Sequence, residues 1–281
     1  MAWDVIHAPE EEWPDIDEYD TSAELELLDI IYQKRIVTER EVKVILEGKY
    51  FPWVVGRALK RLVVEGKIKR EGFPGRKPKM GTPTKFYLKP DVDYWQSISE
   101  IGYKRNLTRD VNGILTGLAP AAVQAEDVFE RAFISMGFEI LGRDVSEFNG
   151  KKVTGIEGKQ PPNLDFVIKR GKNTYGVDVK NWIKYERDTV DEIKLKVRLA
   201  LELDLKPVIC ARYVDKDTIF NVIIRKGGIC YMYKHLLLPK SFRSLADDAN
   251  RVLGYPTLAV DELPHHKWMY LARKVFNISI S

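Results

Sequence analysis

The sequence of 281 residues predicts an α/β fold, in which a mixed sheet flanked by helices follows a smaller domain of three helices and a hairpin. Two runs rich in β-branched residues surround the turn residues 169–173, which is the pattern of a β-hairpin. A helical pattern at 121–136 precedes this hairpin, and an amphipathic helix at 189–204 leads into the apolar run Pro207–Tyr213. Because strand, helix and strand follow each other at this spacing, we expect a right-handed crossover between parallel strands.

The predicted hairpin carries charged residues among apolar neighbours. Asp165 lies in its first strand, and Asp178 and Lys180 lie in its second strand. Residues two apart in a strand point to the same face, so Asp178 and Lys180 are expected to project together. The alternative is a solvated ion pair on an edge strand, with Asp165 only capping the hairpin. The apolar neighbours favour a functional site, because buried carboxylates are costly unless they are paired or bind a metal.

The order of these features resembles the PD-(D/E)XK nuclease superfamily, which includes restriction endonucleases and archaeal Holliday-junction resolvases. The resemblance rests on the spacing of Asp165 from Asp178 and Lys180 and on the helix that precedes them, and it covers about residues 120–215. The chain departs from the family pattern at Leu164, where many members have proline. The resemblance implies a restriction-endonuclease-like mixed sheet flanked by helices.

The resemblance also implies metal-dependent hydrolysis of phosphodiester bonds. Asp165 and Asp178 would bind Mg²⁺ or Mn²⁺, with the backbone carbonyl of Val179 as a further ligand. Lys180 would orient the attacking water and stabilise the transition state. The glutamate that family members carry on the preceding helix falls at Glu126, which would bind a second ion.

The helix glutamate has two candidate positions. Glu126 precedes Phe129 by three residues and Phe133 by seven, so it is expected to share their inward face. Glu130, one helical turn later, is the alternative position.

The N-terminal part of the chain shows a different pattern. Thr21 and Thr38 each begin a capping-box sequence, and Pro52 lies at the first position of a third predicted helix. The segments Lys67–Arg70 and Thr84–Leu88 then read as two strands around a basic loop. Three helices followed by a basic hairpin resemble a winged helix-turn-helix domain, whose third helix enters the major groove of DNA.

The charge distribution supports a nucleic-acid partner for this domain, placed at residues 21–90. Residues 1–30 contain 11 Asp and Glu and no Lys or Arg, whereas residues 33–90 contain 16 Lys and Arg against 5 Asp and Glu. Such a basic segment is an electrostatic signature of nucleic-acid binding, although many winged helices bind only proteins. Residues 1–20 are expected to be a flexible acidic arm, which could instead fold back and compete with DNA. The residues expected to contact DNA are Trp53, Arg57, Lys60, Arg61, Arg76, Lys77 and Lys79.

The rest of the chain completes the predicted organisation. Residues 91–119 are expected to be a connector that contains a helix at Tyr94–Tyr103. Residues 120–281 are expected to form the nuclease-like domain with a C-terminal extension. In that extension the segments Thr218–Ile224 and Gly228–Tyr233 read as a strand pair that could extend the sheet.

The composition excludes several other classes of protein. No apolar run approaches the roughly 20 residues of a membrane span, and no basic signal sequence is visible. Cys210 and Cys230 are the only cysteines and lack metal-ligand spacing, so a reducing, cytoplasmic setting without a zinc site is expected. His265 and His266 could be a ligand pair, but surface residues are favoured. No glycine-rich phosphate loop is visible that would support a ligand-sensing regulator. No use of ATP is expected.

The sequence therefore favours a metal-dependent DNA endonuclease that a winged helix delivers to duplex or branched DNA. A homodimer would supply the two sites that cutting both strands requires. The alternatives are a DNA-binding protein with an inactive nuclease fold and a regulator whose C-terminal domain senses a ligand. The complete set of Glu126, Asp165, Asp178 and Lys180 favours the enzyme.

Overall fold

The chain forms two units in a computed structural model. The first unit comprises Met1–Asp110 and Asp248–Tyr255, and the second comprises Val111–Asp247 and Pro256–Ser281. The first unit is thus built from two chain segments, and it extends well past residue 90, where the predicted domain ended. The structure describes residues 16–72, 85–115, 120–153, 162–183, 185 and 187–279.

The first unit combines helices with a small antiparallel sheet. Its strands are arranged in the order β1-β3-β2. The apolar side chains of Leu27, Ile31, Val55 and Leu59 are fully buried in its core. Its elements are α1 (Ile16–Lys34), β1 (Ile36–Thr38), α2 (Glu39–Leu46), α3 (Pro52–Val64), β2 (Lys69–Gly72), β3 (Lys85–Leu88), the part of α4 (Ile98–Leu115) up to Asp110, and a π-helical turn at Ala249–Leu253.

The observed first residues of the helices show which local sequence signals predicted a helix start correctly. At Thr38 the hydroxyl oxygen accepts from the amide of Glu41, and the amide of Thr38 donates to the Glu41 carboxylate, so this capping box is confirmed. Pro52 begins α3 as predicted. The capping box at Thr21 was wrong, because α1 already begins at Ile16. Packing of the α1 face that includes buried Leu27 outweighs the local signal at Thr21.

The predicted connector contains the long helix α4, which begins and ends later than the predicted Tyr94–Tyr103 helix. Its residue Lys104 is buried, which explains why an apolar pattern did not reveal the full helix. The Lys104 ammonium donates to the carbonyl of Ile36 at 2.5 Å and forms an ion pair with the buried Glu41 at 3.3 Å. A polar network therefore anchors α4 in the first unit.

The second unit is an α/β structure. It contains a mixed five-stranded sheet with helices beside it, which agrees with the predicted fold class. Short π-helical and 3₁₀-helical turns lie at Thr218–Ile223, Ile224–Lys226, Lys240–Phe242 and Leu271–Val275. Its helices and strands are α5 (Pro120–Ser135), β4 (Glu139–Val145), β5 (Glu147–Phe148), β6 (Lys151–Lys152), β7 (Leu164–Arg170), β8 (Asn173–Lys180), α6 (Arg187–Glu202), β9 (Lys206–Ala211), β10 (Ile229–Met232), β11 (Leu236–Leu238), α7 (Arg243–Asp248), β12 (Thr257–Ala259) and α8 (His265–Tyr270).

The central sheet has the strand order β10-β9-β8-β7-β4. Strands β8, β9 and β10 are parallel, and β7 and β4 are antiparallel to their neighbours, so the predicted hairpin and parallel pair are both present. Arg170 pairs with Asn173, so the hairpin turn has two residues instead of the five expected. Gly171 has a φ of +59°, a conformation that glycine adopts without steric cost.

One predicted strand of the C-terminal extension is helical. Strand β10 extends the sheet as expected, but Thr218–Ile223 forms a π-helical turn. The Thr218 amide donates to the Asp215 carboxylate at 2.9 Å, and buried Ile223 packs in the same cluster as Ile193. The β-branched residues of this segment thus pack from a helical turn. The sequence pattern did not distinguish this arrangement from a strand.

Helices cover both faces of the sheet. Helix α5 buries Phe129 and Phe133 with Phe166 and Val177 in one cluster. On the other face, the α6 residue Ile193 shares a cluster with Ile209 of β9. No helix in the described part of the chain has the length and apolar character needed to cross a membrane.

Candidate functional site

The end of strand β8 brings a buried carboxylate and an ammonium group together. Asp178 and Lys180 lie two residues apart, and the Lys180 Nζ atom is 3.2 Å from Oδ1 of Asp178. The Asp178 side chain is fully buried, and only 13% of the Lys180 side chain is exposed. The alternation of the strand therefore places both side chains on one face, as the pattern predicted. A solvated surface ion pair does not describe this arrangement.

Asp165 joins this pair from the neighbouring strand β7. Its Oδ2 atom accepts a hydrogen bond of 2.6 Å from the backbone amide of Val179, the residue between Asp178 and Lys180. The carboxylate of Asp165 is thereby held beside β8. The contact uses the amide of Val179, and the role of its carbonyl as a metal ligand stays a prediction.

The carboxylates and the ammonium perturb one another. Burial and the nearby charge of Asp178 together raise the pKa of Asp165 to about 7, although Lys180 and the Val179 amide oppose the change. Burial disfavours the charged form of Lys180, but Asp178, Asp165 and Glu192 outweigh it and raise the lysine pKa above its ordinary value. Lys180 is therefore a permanent cation, whereas Asp165 titrates near neutral pH.

The two helix glutamates occupy different environments. Burial raises the pKa of the half-buried Glu126, and the charges of Asp144 and Asp178 raise it further, whereas Lys180 lowers it. These interactions place Glu126 within electrostatic reach of the β8 pair. Glu130 instead forms a two-bond ion pair with Arg143, one bond being 3.0 Å long. Glu126 therefore interacts electrostatically with the Asp178–Lys180 pair, whereas the Glu130 carboxylate is occupied by Arg143.

Helix α6 adds two residues that were not predicted as site residues. The Lys196 Nζ atom lies 2.9 Å from Oδ1 of Asp178, and Glu192 Oε1 lies 2.8 Å from Nζ of Lys180. A signal for Lys196 was present in the sequence, because this lysine lies three residues after Ile193 and four before Ala200 on the buried stripe of the helix. A lysine on the apolar face of a helix requires a partner inside the protein.

The donor set fits a hard divalent cation in charge and chemistry. Asp178 contacts both Lys180 and Lys196, and Glu192 contacts Lys180. Asp165 and Glu126 interact with Lys180 electrostatically, so these acidic side chains outnumber the two ammonium groups. The buried Oδ2 atom of Asp178 has no hydrogen-bond partner among the described residues. Carboxylate oxygens are the ligands that Mg²⁺ prefers. Within the same residues, no three His, Cys, Asp or Glu side chains converge as a metal cluster.

Buried hydrogen bonds fix the backbone where β8 ends. The carbonyl of Lys180 accepts from the amide of Arg212 at 3.0 Å and from the hydroxyl of Tyr233 at 2.8 Å. The next residue, Asn181, both donates to and accepts from the backbone of Leu237. The backbone of Lys180 and Asn181 is therefore held in place by the residues that directly follow β9 and β10 and by β11.

The predicted nucleic-acid surface of the first unit is partly neutralised within the chain. Arg57 and Arg61 each form an ion pair of 3.0 Å with Asp20, and Arg61 also pairs with Glu24 at 2.6 Å. Asp20 is buried in helix α1, so this end of the predicted flexible arm is ordered against α3. The Arg57 and Arg61 side chains remain 50% and 45% exposed, so their contact with DNA stays a prediction in which phosphate would compete with Asp20.

The other predicted DNA contacts have mixed outcomes. Trp53 is 45% exposed, and its ring stacks on Phe51 with centroids 4.5 Å apart. Lys60 is exposed and has no ion pair among the described residues. Three further predicted contacts in the basic loop lie outside the described residues: Arg76, Lys77 and Lys79.

The structure thus brings Asp165, Asp178 and Lys180 together at the end of β8 and adds Lys196 from α6. Glu126 interacts with this group electrostatically. Comparisons of the chain with protein-family models, curated proteins and solved structures found no match. The case for a function therefore rests on the residues and their geometry.

Proposed function

We propose that the second unit is a metal-dependent nuclease that hydrolyses phosphodiester bonds in DNA. The observation that carries this proposal is the meeting of Asp165, Asp178 and Lys180 at the end of two adjacent strands. The mixed sheet with α5 on one face and α6 on the other supports a restriction-endonuclease-like fold.

The chemistry follows from these side chains. Mg²⁺ or Mn²⁺ held by Asp165 and Asp178 would make a water more acidic and offset negative charge on the phosphate. The rigidly held ammonium of Lys180 donates hydrogen bonds to the attacking water and to a phosphate oxygen as charge develops there. Glu126 adds a third carboxylate on the helix side of the site and keeps the local potential favourable for cations.

The first unit is proposed to bind DNA as a winged helix. The order of α1, β1, α2, α3, β2 and β3, with the sheet order β1-β3-β2, supports this fold. Trp53 and Lys60 are exposed on α3 and are available for contact with DNA. Arg57 and Arg61 on the same helix are 50% and 45% exposed but pair with Asp20. Backbone contacts of this kind give affinity that falls with increasing salt.

A second candidate function is a DNA-binding protein with an inactive nuclease fold. The observation that favours it is the double ion pair of Asp178, whose Oδ1 atom lies close to both Lys180 and Lys196. Two ammonium groups can stabilise this buried carboxylate without a metal ion. The two functions differ in a single property, which is metal-dependent cleavage.

A cleavage assay separates these functions. The full chain is incubated with Mg²⁺ or Mn²⁺, without ATP, on labelled linear duplex, single-stranded, flap and four-way-junction DNA. Asp178→Ala and Lys180→Ala are each expected to lower the cleavage rate by on the order of 10²-fold or more. Circular dichroism shows whether each variant is folded.

The two helix glutamates provide a matched control for this assay. Glu126→Gln is expected to slow cleavage, whereas Glu130→Gln, which removes the same charge one turn away, leaves the rate nearly unchanged. The wild type could instead cleave no substrate in the presence of metal while its salt-sensitive DNA binding is intact. That result would reject the nuclease function in favour of the DNA-binding protein.

A further inference from the structure

Two basic side chains, Lys267 and His235, approach one backbone carbonyl just beyond the carboxyl-terminal end of strand β10, in the C-terminal extension. The Lys267 Nζ atom donates to the carbonyl oxygen of Tyr233 at 2.6 Å, and Nδ1 of His235 lies 3.3 Å from the same oxygen. Lys234 and His266 are the exposed sequence neighbours of these two residues. Lys267 and His235 thus share one carbonyl, and each has a basic sequence neighbour. These four residues are hereafter called the basic cluster: Lys234, His235, His266 and Lys267.

The positive charge of the basic cluster is not balanced by nearby acids. Neither Lys234 nor Lys267 forms an ion pair with a carboxylate of any described residue. Burial lowers the pKa of Lys267, and the charge of Lys234 lowers it further; burial and Lys267 do the same for His235. The groups therefore repel one another in the free protein, and an anion bound among them would relieve this repulsion.

The basic cluster lies at the same edge of the sheet as the candidate site. Lys180 ends β8, and the amide of Lys234 donates to the carbonyl of Arg212 at 3.0 Å, just past the end of β9. Lys180 is in register with Ala211, and Ala211 with Met232. Lys234 therefore lies two strand spacings, about 10 Å, across the sheet from Lys180 and two residues further along. The hydroxyl of Tyr233 reaches back to the carbonyl of Lys180 at 2.8 Å and joins the two regions.

We propose that the basic cluster binds the phosphodiester backbone of a nucleic-acid strand beside the Asp178–Lys180 pair, an assignment that rests on the nuclease function proposed above. The Lys267 ammonium has three N–H donors, of which the Tyr233 carbonyl uses one, so it retains donors for phosphate oxygens. Exposed Lys234 and His266 flank Lys267 and contact the nucleic-acid strand where it leaves the site. The C-terminal extension thereby contributes to substrate binding.

The test measures DNA binding without cleavage. Full-length protein in EDTA binds a fluorescently labelled duplex or single strand, and anisotropy gives the affinity at several KCl concentrations. The variant Lys234→Gln/Lys267→Gln removes two charges and keeps a hydrogen-bond donor near Tyr233. The matched control is Lys169→Gln/Lys172→Gln, which removes two exposed charges at the hairpin end of the same sheet.

The basic-cluster variant is expected to bind about tenfold more weakly near 0.1 M salt. The slope of log affinity against log salt should fall by about 0.9 for each phosphate that the variant no longer neutralises, and the control should retain the wild-type slope. Equal reductions in affinity in the two double variants, or no reduction in the basic-cluster variant, would overturn the proposal. The exposed single substitution Lys234→Gln gives the same comparison if the double variant does not fold.

Two further outcomes separate this proposal from the nuclease function. If the basic-cluster variant loses affinity for labelled polyglutamate but not for DNA, the cluster binds an acidic protein and the proposal is wrong. Weaker DNA binding by the variant supports the basic cluster even if the wild type cleaves no substrate. Conversely, cleavage can depend on Asp178 while the basic-cluster variant binds DNA normally. That result would refute DNA binding by the basic cluster and leave the nuclease function supported.

Discussion

The ammonium nitrogen of Lys196 lies 2.9 Å from Oδ1 of Asp178 and joins helix α6 to the end of strand β8. The Asp178 side chain is fully buried, and the Lys196 side chain is 10% exposed. Lys180 contacts the same oxygen at 3.2 Å. Because a buried charge without a partner is costly, Lys196 is expected to stabilise the folded site whether or not the protein cleaves DNA.

Replacement of Lys196 by methionine should therefore destabilise the protein. Breaking a buried ion pair typically costs about 3–5 kcal/mol, but Lys180 remains beside Asp178, so we expect a decrease of about 1–3 kcal/mol. Urea denaturation measures the free energy of unfolding. The control Lys194→Met removes an exposed lysine from the same helix and should change it by less than about 0.5 kcal/mol. Equal decreases in both variants would show that the interaction with Asp178 is not stabilising.

Asp165 should make the stability of the metal-free protein depend on pH. Its pKa is raised to about 7 in the folded chain, against about 3.9 in an unfolded chain, so the folded state binds the proton more tightly. Its contribution is complete below about pH 4 and is lost as pH rises through 7. We expect the free energy of unfolding to fall by up to about 1.4 kcal/mol per pH unit over this window relative to Asp165→Asn.

Urea denaturation of wild type and Asp165→Asn from pH 4 to pH 8 in EDTA checks this dependence. Asp191→Asn, which changes an exposed carboxylate of α6, should retain the pH profile of the wild type. Parallel profiles for the wild type and Asp165→Asn would contradict the raised pKa.

Divalent cations should stabilise the folded protein through Asp178. A ligand at 100 times its dissociation constant adds about 2.7 kcal/mol to the free energy of unfolding. Mg²⁺ or Mn²⁺ should raise the melting temperature of the wild type but not of Asp178→Asn. The control Asp204→Asn, an exposed carboxylate paired with Lys151, should respond like the wild type. The same increase in the melting temperature of Asp178→Asn would show that the metal binds elsewhere.

The metal effect should also be larger at pH 8 than at pH 6. Asp165 must lose its proton before it can bind a cation, and its pKa of about 7 places this loss between those values. Titration of Mn²⁺ at the two pH values measures the difference in affinity. An affinity independent of pH would show that Asp165 is not a ligand.

Release of the paired arginines on α3 should strengthen DNA binding. Asp20 pairs with both Arg57 and Arg61, so Asp20→Asn removes a charge that competes with phosphate for them. We expect the affinity for duplex DNA to increase several-fold at low salt, as measured by anisotropy in EDTA. Glu26→Gln removes a charge from the same helix but pairs with Lys49 instead, so it should have a smaller effect. Weaker binding by Asp20→Asn would mean that Asp20 orients these arginines for DNA.

Local patterns of the sequence were sufficient for much of the second unit. Alternation in the second strand predicted that Asp178 and Lys180 share a face, and helical spacing predicted the inward face of α5 that buries Phe129 and Phe133. The capping box at Thr38 was also predicted correctly. These features depend on contacts between residues a few positions apart, whose geometry each regular element imposes by itself.

Longer-range features required the tertiary structure. The pairing of Lys196 with Asp178 depends on how α6 packs across the sheet, and the pairing of Asp20 with Arg57 depends on how α1 packs on α3. Tyr233 gathers the basic cluster from two segments more than thirty residues apart in sequence. The sequence by itself determined which residues form each face of a helix or strand. Only the tertiary structure decided which charged groups meet across those faces, because their distances depend on packing and not on spacing along the chain.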